Sequence, residues 1–449
     1  MNTKRKEKLK IFVFLLFLKT TLELGFYYLL TIKYPYYRFW PDIYKYMNGV
    51  FWTIILYFGI KWERKASSFF LLFMYVFQIL PITVIYGLYM GNAVFYNTLC
   101  TGFWICEWIT FLGKHRVTLK PEWSISKWII PCLVGVVIFL MFVIYKQNGL
   151  PPLTALNIYD VYKLRKSGSF IIGHYMNIIL SVSVSLFIPI LIAKSIIERK
   201  YIITAFFMSI QILLYLYTGH KTYFFSIILA AVISIWSKRD KFMTEFFIMT
   251  SIGIAVLTFA AIWKEEDSIF DRLYDIVVRR VMFTPAELKF VHYDYFRNHD
   301  FLGLQGVLPV AMLLKPNPFY LKIVYPFDIG RIYFNAPEMS ADTGTFIEGF
   351  SRFGDLGTIA IFLLIALYLR LMDSMQDRTD YRTVTGFFIC PIYSLAEGQL
   401  MGSLFGGCWF WILCILLFYS EKPVILKYLF GRRSGYKMIK EDRKKVRKC

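Results

Sequence analysis

The chain of 449 residues is built mainly from apolar runs of about 20 residues each. A helix of that length spans the hydrocarbon core of a bilayer, which is about 30 Å thick. Hydrophobic residues make up 57% of the chain, which is more than a soluble fold of this size hides from water. The sequence therefore predicts an all-α polytopic membrane protein with about twelve spans. They lie near 11–30, 44–60, 68–90, 93–112, 128–146, 170–193, 201–218, 221–236, 242–263, 346–369, 384–400 and 403–420.

The loop charges alternate along the chain. With the N-terminus inside, the inner connections include KWERK (61–65), KSIIERK (194–200) and SKRDK (237–241), whereas the outer connections 91–92 and 397–402 hold no Lys or Arg. This is the positive-inside pattern, and it places both termini in the cytoplasm. The net charge of +21 then reflects loops that face anionic lipid, so we expect membrane lipids and no nucleic acid as partners.

One long polar segment, 264–345, interrupts the apolar runs and is rich in Arg, His, Tyr and carboxylates. The charge pattern places it outside. We expect nine spans in 1–263, a large external loop in 264–345, three spans in 346–420 and a basic cytoplasmic tail in 421–449. The polar segment is the predicted working face.

Two adjacent arginines, Arg279 and Arg280, lie in the stretch DIVVRRVMF (275–283). Their apolar neighbours draw this stretch towards the membrane surface. Arginine offers planar, bidentate and permanently charged donors to phosphate. The pattern predicts phosphate recognition by at least one of the two, with headgroup contact or a structural salt bridge as the alternative.

A Gly-rich stretch, ADTGTFIEGFSRFGDLG (341–357), leads into the tenth predicted span and contains Asp342. In a helix that starts near residue 345, Glu348, Arg352 and Asp355 follow one another at i, i+4 and i+7 on one face. An ion-paired strip is one interpretation. The other is a general base or a clamp for a substrate hydroxyl, since charges at this depth usually face a wet cavity.

Five further polar residues are candidates for binding or for structure. His220 and Lys221 form a tight outer turn, where they would contact a substrate or simply extend to the membrane boundary. His292 and His299 lie among aromatic residues typical of sugar sites and of membrane interfaces. His174, just inside a span, is more typical of a packed side chain.

Charges inside the first and fourth spans favour structural roles. Lys19 and Glu23 are four residues apart and predict an internal ion pair, and Glu107 lies alone in the fourth span.

Several chemistries lack their motifs. The chain has no D-x-D, G-x-S-x-G, H-E-x-x-H or phosphate-binding Walker loop. The nearest carboxylate cluster is 265–267, and six of the seven cysteines lie in apolar spans without C-x-x-C spacing. We therefore expect no metal, no disulfide and no cofactor.

In its arrangement of spans and in several short stretches, the chain resembles the O-antigen and capsular polysaccharide polymerases of bacteria (Wzy-type oligosaccharide repeat-unit polymerases). The resemblance covers the architecture of most of the chain. Locally it is carried by four stretches, which are YKLR (162–165), the turn 219–221, VVRRVMFTP (277–285) and FIEGFSRFGDLG (346–357).

The resemblance implies a function, an architecture and partners. It implies that a glycan on undecaprenyl pyrophosphate is transferred to a new lipid-linked repeat unit outside the bacterial cytoplasmic membrane, by a polymerase of GT-C-like architecture. External arginines are then expected to bind the pyrophosphate, which points to Arg279, Arg280 and Arg165. A chain-length regulator and a flippase of the same pathway are the implied protein partners. A flippase for the same lipid-linked glycan and a related glycan ligase remain the alternatives.

Overall fold

The computed structural model describes residues 3–112, 126–152, 170–264, 268–304, 325–342, 344–376, 379–400 and 408–419. Helices account for the regular structure in these ranges, and they contain no β-strand. The predicted all-α class is therefore confirmed. Arg165, the acidic residues 265–267 and the basic tail 421–449 lie outside the described residues.

Nine helices precede the polar segment in the described residues, and several of them contain a π-helical stretch. They are α1 (Thr3–Gly25, continued by Phe26–Leu30 and Thr31–Lys33), α2 (Ile43–Gly59), α3 (Ala66–Leu88), α4 (Ala93–Phe111), α5 (Ser126–Asn148), α6 (His174–Val182, continued by Ser183–Phe187 and Ile188–Ile197), α7 (Tyr201–Thr218), α8 (Lys221–Trp236) and α9 (Phe242–Trp263).

The remaining described helices form the polar segment and the C-terminal part of the bundle. They are α10 (Ile269–Tyr274, Asp275–Phe283 and Thr284–Arg297 without interruption), α11 (Tyr325–Phe334), α12 (Thr345–Gln376), α13 (Tyr381–Glu397) and α14 (Trp409–Phe418). Every predicted span overlaps one of the helices α1–α9 or α12–α14.

Six helices of the described residues are long and apolar enough to cross a membrane. They are Ala66–Leu88, Trp128–Asn148, Tyr175–Ile197, Tyr201–Thr218, Phe242–Trp263 and Thr345–Met375. Two shorter helices, α8 and α14, are also apolar. The predicted membrane-helix character is thus confirmed for these six.

The connections between helices gather at two ends of the bundle. At one end, which we call the opposite face, Arg64 bonds to Asp240 at 2.9 Å and the Ser67 hydroxyl donates to Asp373 at 2.6 Å. At the other end, the polar-segment face, Trp40 N–H donates to the Leu88 carbonyl at 2.8 Å. The predicted inner loops 61–65 and 237–241 therefore lie together on the opposite face, as their shared charge predicts.

The described part of the polar segment is helical and packed, and much of it is buried. Eleven residues of Thr284–Arg297 are buried, among them Phe290, whose ring packs against Gly91 in the connection between α3 and α4. Burial of these aromatic and aliphatic side chains stabilises the bundle, since each contributes about 1.5–3 kcal/mol. The described part of the predicted loop is thus largely helical, and both apolar and polar residues of α10 reach the core. Its position outside the membrane stays a prediction.

The charges within α1 and α4 differ in their surroundings. Lys19 and Glu23 form the expected ion pair in α1. Glu107 in α4 is 1% exposed, and neither carboxylate oxygen has a hydrogen-bond partner. A Cβ on Gly59 would lie 2.0 Å from a Glu107 oxygen, so only glycine fits there without displacing the carboxylate.

Candidate functional site

A buried ion pair lies at the start of α12 on the polar-segment face. Arg352 Nε donates to Glu348 Oε1 at 3.0 Å, and the two side chains are 3% and 0% exposed. The i, i+4 spacing predicted this pair, and the structure confirms it. Breaking such a buried pair by removing one partner costs about 3–5 kcal/mol, because the other charge stays buried without compensation.

A kink in α12 follows the pair directly. Phe353 and Gly354 have non-helical backbone angles, and Gly354 has φ +67° and ψ −150°, a region that almost only glycine adopts. The Ser351 and Arg352 carbonyls accept bonds from Leu302 N–H (2.9 Å) and Gly303 N–H (3.1 Å). The segment after α10 thus satisfies backbone groups beside the kink, and Arg352 Nη1 donates back to the Gly303 carbonyl at 3.1 Å.

Because of the kink, the predicted strip of Glu348, Arg352 and Asp355 does not form on one helix face. Asp355 lies after the two non-helical residues and is exposed, whereas Glu348 and Arg352 are buried. The prediction that Asp355 shares their face was wrong because it assumed an unbroken helix.

Tyr325 and Gln399 join this cluster from two other elements. The Tyr325 hydroxyl accepts a bond from the Gln399 amide. Burial raises the pKa of Tyr325, and the nearby Glu348 and Asp342 carboxylates raise it further. Tyr325 therefore stays a neutral hydroxyl beside the ion pair. The Thr345 hydroxyl at the start of α12 donates to the carbonyl of Gly398, the residue after α13, at 3.1 Å. The start of α11, the start of α12 and the end of α13 therefore meet at this cluster.

His292 reaches the same cluster from α10, where its ring meets Tyr325 edge-on at 5.7 Å. Its Nε2 lies 2.7 Å from the Ala341 carbonyl oxygen, which only accepts, so Nε2 carries the proton. Nδ1 then holds a lone pair, and it has no hydrogen-bond partner although the residue is 1% exposed. Burial lowers the pKa of His292 to about 4, so the ring is neutral near pH 7.

The remaining candidates lie at or near the surface. His299 is exposed and stacks on the Tyr295 ring at 3.9 Å. Asp342 is exposed and accepts a bond from the Ser340 hydroxyl at 2.6 Å. His220 is exposed just after Gly219, whose φ of +65° ends α7, and Lys221 begins α8.

Arg279 lies in a second cluster. Its guanidinium donates two hydrogen bonds to the Asp275 carboxylate, through Nε and Nη2. Nη1 donates to the Tyr36 hydroxyl at 3.3 Å, and the guanidinium carbon lies 4.5 Å from the centre of the Tyr34 ring. Although burial alone would raise the pKa of Asp275, the bonds from Arg279 hold it below its usual range. Arg279 thus joins α10 to the segment that links α1 to α2.

Arg280 touches the edge of that cluster from a more exposed position. Its side chain is 56% exposed, and its Nε lies 3.5 Å from Asp275 Oδ2. About two turns further along α10, Glu287 is 4% exposed, and burial raises its pKa to about 7.

The two clusters lie at opposite ends of α11. Tyr325 at its first residue contacts the His292 ring, and Phe334 at its last residue meets Tyr36 with ring centres 6.4 Å apart. Ten helical residues separate these ends by about 14 Å. The contacts of Arg279 and Arg280 described above are therefore distinct from those of Arg352.

Sequence reasoning missed Tyr325, Gln399 and Lys289. Lys289 is fully buried, and its Nζ donates to Gln78 Oε1 at 2.6 Å and to the Pro285 carbonyl at 3.0 Å. The i, i+3 spacing of Lys289 and His292 on one helix was the available signal, but it indicates a shared face without showing that the face is buried.

Among the described residues, no three His, Cys, Asp or Glu side chains lie close enough together to hold a metal ion. Comparisons with protein family models, with curated proteins and with solved structures find no match to this chain.

Proposed function

We propose that this protein is a metal-independent glycosyltransferase that polymerises lipid-linked oligosaccharide repeat units into a surface polysaccharide. The observation that supports this most is the buried cluster of Glu348, Arg352, Tyr325 and His292 on the polar-segment face. Buried charges and perturbed titratable groups cluster at reaction sites, and a buried ion pair adds little to stability compared with apolar residues.

The proposal includes a topology. Helices α1–α9 and α12–α14 are the twelve spans, α10 and α11 cover them on the outer side, and the termini lie in the cytoplasm of a bacterium. The basic connections 61–65, 194–200 and 237–241 support this orientation by the positive-inside tendency.

The cluster suggests how the reaction would proceed. The acceptor sugar hydroxyl gives its proton to His292 Nδ1 while its oxygen attacks the anomeric carbon of the donor. The bond from that carbon to the pyrophosphate oxygen breaks, and the pyrophosphate leaves with the electron pair. Glu348 keeps Arg352 in place, and the guanidinium supplies fixed positive charge near the developing anion.

The test uses purified protein in vesicles with a synthetic undecaprenyl-pyrophosphate-linked repeat unit. We expect glycans of two or more repeat units and release of undecaprenyl pyrophosphate. His292→Gln should lower the rate at least 100-fold, because the glutamine amide can still reach the Ala341 carbonyl but lacks the basic nitrogen. His299→Gln is the matched control, since that ring is exposed. Unchanged substrate in the wild-type reaction would reject the proposal.

A double variant distinguishes a role of the Glu348–Arg352 pair in the reaction from a role in folding. Glu348→Gln combined with Arg352→Gln removes both charges together, so no single buried charge remains. We expect this protein to fold and to be inactive. Wild-type activity in the double variant would show that the pair serves structure alone.

A transporter of the same lipid-linked glycan is the second candidate, and Glu107 favours it. A buried carboxyl without hydrogen-bond partners is typical of proton-coupled carriers, and nothing in glycan transfer requires one. Movement of a fluorescent lipid-linked glycan across the vesicle membrane, lost in Glu107→Gln and without elongation, would support this candidate instead.

A further inference from the structure

We propose that one side of α10 lies in the lipid headgroup layer and binds anionic phospholipids through two arginines. We call this side the interfacial stripe; it consists of Ile269, Arg272, Leu273, Ile276 and Arg280. The proposal concerns bilayer lipids, so it does not depend on the chemistry that the buried cluster performs.

The stripe follows from helical spacing and exposure. Its five residues are exposed and follow one another at intervals of three, one, three and four, which is one face of a helix. On the other side, Tyr274, Val278 and Met282 are buried against the bundle at intervals of four. The helix is therefore anchored by one apolar side and presents a second, mixed side outward.

The apolar part of the stripe continues the exposed surface of α9. Met249, Val256 and Trp263 are 58%, 56% and 84% exposed along α9, and Ile269 (69%) follows Trp263 after six residues. Exposed aliphatic side chains on a membrane helix contact lipid. Ile269, Leu273 and Ile276 extend the series of exposed apolar side chains along the sequence beyond α9, which favours the membrane as the occupant.

The charged part of the stripe specifies which lipid. Arg272 and Arg280 are eight residues apart, which is about 12 Å along the helix and places Ile276 between them. A cationic helix face with aliphatic residues between the charges is typical of helices that lie in the interface of an anionic membrane. Guanidinium groups bind phosphate oxygens through paired hydrogen bonds. Arg280 pairs with Asp275 through Nε, but its side chain is 56% exposed, so the proposal assigns it to bilayer phosphate, in contrast to the enclosed Arg279.

The first experiment measures lipid binding to the full chain. Delipidated protein in detergent is titrated with phosphatidylglycerol or phosphatidylcholine, and bound lipids are counted by native mass spectrometry. We expect Arg272→Ala/Arg280→Ala to weaken phosphatidylglycerol binding about 30-fold, given about 1 kcal/mol per basic residue. Phosphatidylcholine binding should not change. Arg297→Ala/Arg331→Ala is the matched control, because both arginines are exposed outside the stripe.

Equal losses in the two double variants, or equal affinity of the wild type for both lipids, would overturn the proposal. So would binding of undecaprenyl pyrophosphate without binding of phosphatidylglycerol, since that result would assign the arginines to the reacting substrate.

A second measurement needs no variant. Amide exchange of peptides from 269–283 should be slower in phosphatidylglycerol nanodiscs than in phosphatidylcholine nanodiscs, with 284–297 unchanged. Identical exchange in both membranes would also reject it.

Discussion

Arg279 and Arg280 are neighbours in sequence but lie in different surroundings. Arg279 is enclosed by Asp275, Tyr34 and Tyr36, whereas Arg280 reaches only Asp275, at 3.5 Å, and its side chain is 56% exposed. Successive residues of a helix point in different directions, so a pair of arginines that looks like one phosphate site in the sequence serves two purposes. One holds the α1–α2 connection to α10, and the other faces outward.

Replacing each arginine by alanine should therefore change the free energy of unfolding by different amounts. Arg279→Ala leaves the half-buried Asp275 carboxylate without its main partner, and we expect it to lower the free energy of unfolding by about 2 kcal/mol. Arg280→Ala removes an exposed side chain and should change it by less than about 0.5 kcal/mol. Thermal unfolding in detergent, followed by tryptophan fluorescence, measures both. Equal destabilisation by the two variants would contradict the assignment.

Glu287 should make stability depend on pH. Burial raises its pKa from 4.5 to about 7, so the folded protein binds this proton more tightly than the unfolded chain. Its contribution is most favourable below pH 4.5, is lost as the pH rises to about 7, and amounts to about 3 kcal/mol. Glu287→Gln should remove this part of the pH dependence. If unfolding profiles of the variant and the wild type run parallel from pH 4.5 to 7, the carboxyl is not buried in its neutral form.

His292 should act in the opposite direction over nearly the same range. Its pKa falls from 6.5 to about 4 on burial, so its contribution is complete above pH 6.5 and is lost as the pH falls towards 4. The magnitude is again about 3 kcal/mol. The two groups should nearly cancel in the wild type, and Glu287→Gln should expose a steep loss of stability in acid. Nitrogen-15 shifts of the His292 ring would check its state, and a protonated ring at pH 6 would refute it.

The sequence predicted features that depend on local spacing. The apolar runs correspond to helices, and the pairs Lys19–Glu23 and Glu348–Arg352 form as the i, i+4 rule expects. Contacts between distant residues were not predictable in this way. Tyr36 and Arg279 are 243 residues apart, and no local pattern brings them together. The placement of Asp355 failed because a glycine with positive φ ended the helical register.

The kink at Gly354 should be necessary for the buried cluster. A Cβ there would be strained at φ +67° and would lie 3.3 Å from the Phe301 ring. We expect Gly354→Ala to cost about 1–3 kcal/mol and to disturb the bonds by which Leu302 and Gly303 hold the end of the Glu348–Arg352 turn. Gly253→Ala is the matched control, since nothing lies within 4 Å of the added carbon in helix α9. That change should be neutral or stabilising by up to about 1 kcal/mol.

Thermal unfolding and amide exchange of peptides covering 345–357 would compare these two glycine variants. The exchange rate in that region should rise in Gly354→Ala, because straightening the helix withdraws the Ser351 and Arg352 carbonyls from their partners in 302–303. It should stay at the wild-type value in Gly253→Ala. If Gly354→Ala is as stable and as protected as the wild type, α12 accepts a continuous helix, and the buried pair does not owe its position to the kink.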